Sequence, residues 1–292
     1  MDDLGRQLAL AFSTRCIREL AGKNTPWPRD RLAPIIDLAE VDATLGEAFD
    51  TAYARLTRDY RCEYVYANSL ITAAVASRAA ELNAISGLRV SMSIADLVIT
   101  GEQPTVYEIK TDLDGFARLE LQLHSYGTCF EHVYVVTSPA KTARTVAETP
   151  NHVGVLTLTD TGQVDVARLP SGGLDRIERS SLFRVLRRDE LLAIVERQFG
   201  YVLDVPNGRI YQRLNTLFMQ LDVETAYREF VIELRRRDCT KRQAALDAGL
   251  PASLQAAAAG LTLTPTAWRR LGAQLRRPAD QFRAVGITAA AM

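Results

Sequence analysis

Asp96, Glu108 and Lys110 are the residues whose types and spacing could do chemistry. They fall in two β-rich runs, 95–100 and 106–110, separated by Gly101-Glu102-Gln103-Pro104, which has the composition of a turn. Successive strand side chains alternate faces, so Glu108 and Lys110 point the same way. A hairpin closing through 101–104 brings Asp96 opposite them. Two carboxylates and an ammonium then converge on an otherwise apolar sheet edge, where burial is costly without compensation. A divalent cation, Mg²⁺ or Mn²⁺, would compensate them. Such hard ions take one or two carboxylates, water and phosphate oxygens. The chemistry expected is metal-assisted hydrolysis of a phosphodiester, with Lys110 orienting the attacking water or steadying charge on the phosphate.

A solvated ion pair on a surface hairpin would use the same three residues, so the triad alone does not decide. Three neighbouring features bear on it. The flanking residues, 94–100 and 106–109, are hydrophobic enough for interior strands. The helix expected next carries Arg118, Gln122 and Tyr126 at i, i+4 and i+8, one polar stripe. Glu63 lies on a helix that precedes the sheet.

The segments Glu63-Tyr64-Val65-Tyr66-Ala67-Asn68, Ala95-Asp96-Leu97-Val98-Ile99, the run 107–126 and Val133-Tyr134-Val135-Val136-Thr137 together resemble the sce7726 family of bacterial proteins, within the PD-(D/E)xK nuclease superfamily. The resemblance spans about 43–158, and the Glu-Ile-Lys segment with the acids and Arg-Leu after it is its most specific part. It implies Asp96 and Glu108 as metal ligands, Lys110 as the catalytic lysine and Glu63 as a helix-borne acid aiding the site. Gln122 and Tyr126 match the QxxxY signature of RecB-like nucleases, where they position the active site or the strand. Ala95 stands where the superfamily's name calls for proline. A DNA nuclease is thus implied. Two other readings stay open: a catalytically weak module of the same fold that binds nucleic acid or a partner, for example in phage defence, and a DNA-binding regulator using residues 240–260.

The elements that must position these residues follow from periodicity. Helical spacing runs through 1–22, from Thr44 with a Thr44/Glu47 capping box, and over about 59–83. A linker with Pro26, Pro28 and Pro34 intervenes. The alternation of 88–94 reads as a strand, continuous through a bend with 95–100. Then come the hairpin, a helix capped by Asp112 or Asp114, a central strand at 133–137, a short helix at 141–148 and a strand at 153–158. Residues 160–173 read as a loop or small hairpin, and 182–199, 210–221, 223–237 and 241–248 as helices. The fold expected is α/β: a restriction-endonuclease-like three-layer αβα sandwich with a mixed sheet, N-terminal helices and a C-terminal helical region. The expected domains are 1–42 as an N-terminal extension, 43–160 as the nuclease core and 161–292 as a helical accessory region.

Composition is ordinary for a globular chain of 292 residues: 47% hydrophobic, 24% charged, with Lys+Arg and Asp+Glu equal at 35. That balance does not suit a DNA-coating protein, though a local basic strip is enough for an enzyme. Cys16, Cys62, Cys129 and Cys239 form no CxxC pair and read as reduced thiols of a cytoplasmic protein. The first residues lack a basic stretch before an apolar run, so no signal peptide is expected. No run approaches ~18 apolar residues, so no membrane partner is expected. DNA is the expected partner, with a homodimer left open.

Other candidates have plain readings. Arg118 either grips phosphate or pairs with Asp114. His124 reads as a surface or packed residue, and His132 and His152 have no ligand partners at useful spacing. Tyr60, Tyr64 and Tyr66 could stack on bases, but packing suits at least two of them better. Arg235-Arg236-Arg237 with Lys241 and Arg242 is the densest basic cluster. Residues 240–250 hint at a helix-turn-helix with Gly249 at the turn, but the segment after it lacks the Arg, Asn or Gln of a reading helix.

Overall fold

Six runs rich in Val, Ile, Leu, Tyr and Thr form one mixed sheet in the computed structural model, which describes residues 3–78, 83–101, 103–237 and 244–283. The strands are β1 (Asn83–Val90), β2 (Ser93–Thr100), β3 (Thr105–Lys110), β4 (His132–Thr137), β5 (Gly154–Leu158) and β6 (Val164–Arg168), and they lie in the sheet in chain order. β1–β2, β2–β3 and β5–β6 pair antiparallel, while β3–β4 and β4–β5 pair parallel. Parallel neighbours need crossover connections. Helix α6 (Leu119–Gly127) and helix α7 (Pro139–Glu148) supply them. The protein is therefore α/β with a mixed open sheet, and 160–173 includes the hairpin strand β6.

One strand expectation is corrected. The alternation of 88–94 does not bend into 95–100; it reverses at Ser91-Met92, and Val90 pairs with Ser93. Ser91 takes φ +53°, a left-handed conformation that a two-residue hairpin turn requires and that a non-glycine residue seldom adopts. Gly154 shows why one strand position must stay small. A Cβ there would lie 2.4 Å from the Tyr134 ring, which stacks on Tyr107 at 5.6 Å between centroids.

The chain divides into two compact units: Ala74–Cys239, which holds the sheet, and Met1–Ala73 with Thr240–Met292. In the sheet unit Val98, Val106, Val133 and Val135 share one buried core with Leu119, Leu123 and Tyr126 of α6. Helices α8 (Arg179–Val185), α9 (Arg188–Phe199), α10 (Ile210–Phe218) and α11 (Val223–Arg236) contribute to the same core through Leu182, Leu191, Leu214 and Phe230. The helices of 179–236 thus pack as one body with the sheet. α8 and α9 break at Leu186-Arg187, where Glu190 bonds back to the Arg187 amide at 2.7 Å. Arg237 is buried and grips Glu190 with two bonds of 2.5 and 2.6 Å, adding a third to the Val185 carbonyl at 2.8 Å. It is structural, so the basic cluster loses one phosphate-gripping candidate; Lys241 and Arg242 lie outside the described residues.

The other unit is helical: α1 (Asp3–Ala11), α2 (Thr14–Ala21), α3 (Arg29–Leu38), α4 (Leu45–Asp59), α5 (Glu63–Arg78), α12 (Gln255–Ala259) and α13 (Pro265–Leu275), with α5 running on past Ala73. The Thr44/Glu47 capping box forms at the start of α4. Pro34 was expected in a linker but sits inside α3, whose Leu32, Ile35 and Ile36 are fully or nearly fully buried. Burial there outweighs the lost backbone bond. Asn83 likewise belongs to β1, not to the helix expected over 59–83, and 79–82 lie outside the described residues. Two of the three tyrosines pack: Tyr64 against Phe12 at 4.8 Å, donating to the Ser253 carbonyl at 2.6 Å, and Tyr66 fully buried. Buried Asn68 joins the two ends of the chain, donating to the Ala252 carbonyl at 3.0 Å and accepting from the Ala256 amide at 2.9 Å.

Candidate functional site

Strand parity puts the charged residues of β3 on one face, and the β2–β3 register does the rest. Leu97 pairs with Tyr107 and Val98 with Val106, and the paired register ends there, with Asp96 and Glu108 the next residue of each strand. The Asp96 carboxylate is fixed by the chain it faces, since Oδ2 accepts the backbone N–H of Ile109 at 2.7 Å.

Lys110 closes the group. Its Nζ donates to Glu108 Oε1 at 2.6 Å and to Gln122 Oε1 of α6 at 3.1 Å. Glu108 is 1% exposed and Lys110 9%, so this is a buried ion pair and not a solvated hairpin bridge. The other oxygen of Glu108 is 2.7 Å from the Tyr126 hydroxyl, which is also 2.9 Å from the Ile94 carbonyl. One phenolic proton serves two acceptors. Burial pushes the Tyr126 phenol well above its ordinary range, and the negative charge of Glu108 and then of Asp96 pushes it further. The group therefore stays a hydrogen-bond donor at any working pH. Gln122 and Tyr126, one helical turn apart, fix the ammonium and the carboxylate of the same pair.

The residues expected at the site separate accordingly. Glu108, Lys110, Gln122 and Tyr126 form a hydrogen-bonded set on β3 and α6, and Asp96 of β2 is bonded to the Ile109 amide and lies near enough for its charge to act on Tyr126. Arg118 is exposed at the cap of α6, and among the described residues no hydrogen bond or ion pair joins its guanidinium to that set or to Asp114; its carbonyl accepts the Gln122 amide at 3.1 Å. Glu63 opens α5 in the helical unit, exposed, whereas the set lies within the sheet unit. His124 is exposed.

The helix start is a second correction. Neither Asp112 nor Asp114 caps α6. Asp114 accepts from the Thr111 amide at 2.9 Å and hydroxyl at 2.7 Å, and Asp112 accepts from Ser138. Those local bonds hold an ordered loop where a cap was expected. Lys141 on α7 was missed altogether. Its Nζ donates to the carbonyls of Thr111 at 2.7 Å and Asp114 at 2.6 Å, tying down the loop that leaves Lys110. The Thr137 hydroxyl donates to the Lys110 carbonyl at 2.8 Å. Nothing local in the sequence marks these two, because both partners come from a later crossover.

Asp96 and Glu108 offer hard oxygen donors of the kind that suits Mg²⁺ or Mn²⁺. Both oxygens of Glu108 accept a hydrogen bond, and each keeps a second lone pair. Among the described residues no group of three or more His, Cys, Asp or Glu side chains gathers as a metal site. Two carboxylates alone would leave the rest of an ion's coordination to water and phosphate oxygens.

These residues belong to an α/β protein in which an interior strand, β3, carries a buried carboxylate–ammonium pair braced by a helix. The chain matches the family of the bacteriophage P4 protein cII over residues 57–246, and it belongs to that family. No curated protein matches it. Among solved structures, the SPO1766 protein of unknown function from Silicibacter pomeroyi is similar at 12% identity, with 44% of this chain and 88% of that chain covered and a TM-score of 0.29. Among the described residues no helix is long and apolar enough to cross a membrane.

Proposed function

We propose that the chain is a metal-dependent nuclease of the PD-(D/E)xK type, hydrolysing phosphodiester bonds of DNA on a restriction-endonuclease-like αβα sandwich. The observation that carries the reading is the buried Lys110–Glu108 pair, with the Asp96 carboxylate bonded to the Ile109 amide between them. A buried ion pair is weak support for stability, because desolvation offsets much of its attraction. A working role for the pair accounts for burying two charges at that cost.

In this reading Asp96 and Glu108 would hold the Mg²⁺ or Mn²⁺ ion, which when bound acidifies a water and offsets negative charge on the phosphate. Lys110 turns its ammonium to the phosphate oxygens, or to the water oxygen that attacks phosphorus. Gln122 keeps the ammonium aimed through its amide oxygen. Tyr126 keeps the Glu108 carboxylate in one orientation. The bond formed joins water oxygen to phosphorus, and the bond broken releases a sugar oxygen.

Metal titration tests the reading separately from turnover. Calorimetry with Mn²⁺ should give a binding isotherm for the wild-type chain that Asp96→Ala weakens at least roughly 10-fold. Equal isotherms for both would leave the two carboxylates without their assigned role. A protein that binds DNA but shows no Asp96-dependent metal affinity would instead be a binding module of the same fold.

A further inference from the structure

From Ala248 to Ala279 the chain contains four arginines and neither aspartate nor glutamate, although the whole molecule carries equal numbers of acids and bases. Helix α13 runs through this stretch, opened by Thr264, whose side chain accepts the Ala267 amide. One side of α13 is spoken for: Trp268, Leu271, Gly272 and Leu275 are buried, and a Cβ on Gly272 would lie 2.2 Å from the Ala248 carbonyl. Two of the arginines are occupied. Arg270 donates to the Ala21 carbonyl at 2.6 Å, and Arg277 lies over Trp27 at 4.9 Å and bonds Gln281 at 2.7 Å.

The opposite side is Thr266, Arg269, Ala273 and Arg276, all exposed, spaced by three, four and three residues and so forming one stripe. Arg269 donates to Thr266 Oγ1 at 3.3 Å, and Arg276 makes a long contact of 3.5 Å to the Ala248 carbonyl. Both guanidinium groups stay at the surface.

We infer that this face of α13 docks on duplex DNA. Seven residues of helix separate the two arginines by ~10 Å along the axis at ~1.5 Å per residue. The B-form major groove, ~12 Å wide, admits an α-helix lying in it, and arginines spaced along that helix can reach the phosphates that line the groove. On that face Ala273 lies between them, so the helix backbone can approach closely while the arginines reach phosphates. An anionic membrane is a poorer match, because the stripe carries no large apolar side chain to insert. Duplex RNA is poorer too, since its major groove is too narrow for a helix. The inference does not rest on the nuclease reading, whose residues lie in the other unit.

Fluorescence anisotropy of a labelled DNA duplex with the full chain, in EDTA so that no divalent ion contributes, tests it. The Arg269→Gln/Arg276→Gln double variant should bind at least roughly 10-fold more weakly and lower the slope of log affinity against log salt by about 2, close to one unit per lost phosphate contact. Arg15→Gln, which removes a surface arginine already paired with Glu19, should bind as the wild type does. Circular dichroism should match between wild type and double variant, and Arg269→Lys/Arg276→Lys should recover most of the affinity. Unchanged duplex affinity in the double glutamine variant would overturn the inference. So would wild-type protein that ignores the duplex, or that prefers duplex RNA or phosphatidylserine vesicles to it.

Discussion

The Tyr126 hydroxyl lies 2.7 Å from Glu108 Oε2, at the one carboxylate oxygen that Lys110 leaves to others. The contact joins α6 to β3 across a buried space. It gives Tyr126 a definite task, to hold Glu108 in a single orientation beside the ammonium.

Removing that hydroxyl should be felt in both stability and turnover. Tyr126→Phe leaves Glu108 Oε2 and the Ile94 carbonyl each short of a donor, at a cost of ~1–3 kcal/mol for an unsatisfied buried group. On the nuclease reading the cleavage rate should fall roughly 10- to 100-fold, the usual effect of releasing an outer partner of a metal-ligating carboxylate. Urea unfolding and DNA cleavage measure the two effects. A variant equal to wild type in both would mean that the contact holds nothing in place.

Alkali should weaken the fold earlier than a surface-only titration would. Burial pushes the Tyr107 phenol up to about 12 and raises those of Tyr64, Tyr126 and Tyr227; it also pushes the Cys16 and Cys129 thiols up to about 12. These groups stay neutral in the folded chain where the unfolded chain has ionised them. Their contribution is complete below ~8.5 for the thiols and ~10 for the phenols, and it is lost as pH rises from there towards 12. Urea midpoints at about pH 8 and about pH 11 should therefore drop steeply. A flat profile, with tyrosinate absorbance appearing at the ordinary phenol pH, would place these side chains in water.

The buried Arg237–Glu190 pair makes a third prediction. Arg237→Met leaves buried Glu190 with the Arg187 amide but without its counter-charge, at a cost of ~3–5 kcal/mol. The Arg237→Met/Glu190→Leu double variant should recover much of it. Denaturant unfolding reads both, and equal stability of Arg237→Met and wild type would contradict the burial of the pair.

Parity and local pattern carried the sequence reading a long way. The two-residue spacing of Glu108 and Lys110, the hairpin before them and the four-residue spacing of Gln122 and Tyr126 are all short-range, and the chain meets itself there as the periodicities require. The failures share one physical cause. Ser91-Met92 has none of the glycine or asparagine that announces a reversal, so only pairing with the neighbouring strand reveals it. Pro34 is carried inside a helix by the burial of its neighbours. Asp114 was free to choose between a helix cap and the Thr111 turn, and the Lys141 ammonium favours the turn by binding its carbonyls. Asn68 with Ala252 and Arg237 with Glu190 are contacts across long stretches of chain, for which residue type gives no address.

Cleavage by matched proteins tests the nuclease reading most directly. Wild type and Lys110→Ala are incubated with linear, circular and single-stranded DNA in Mg²⁺ or Mn²⁺. At least one DNA should be cut by wild type, and Lys110→Ala should cut it at least roughly 100-fold more slowly with unchanged circular dichroism. Wild type that leaves all three intact, or Lys110→Ala that cuts as fast as wild type, would contradict the account.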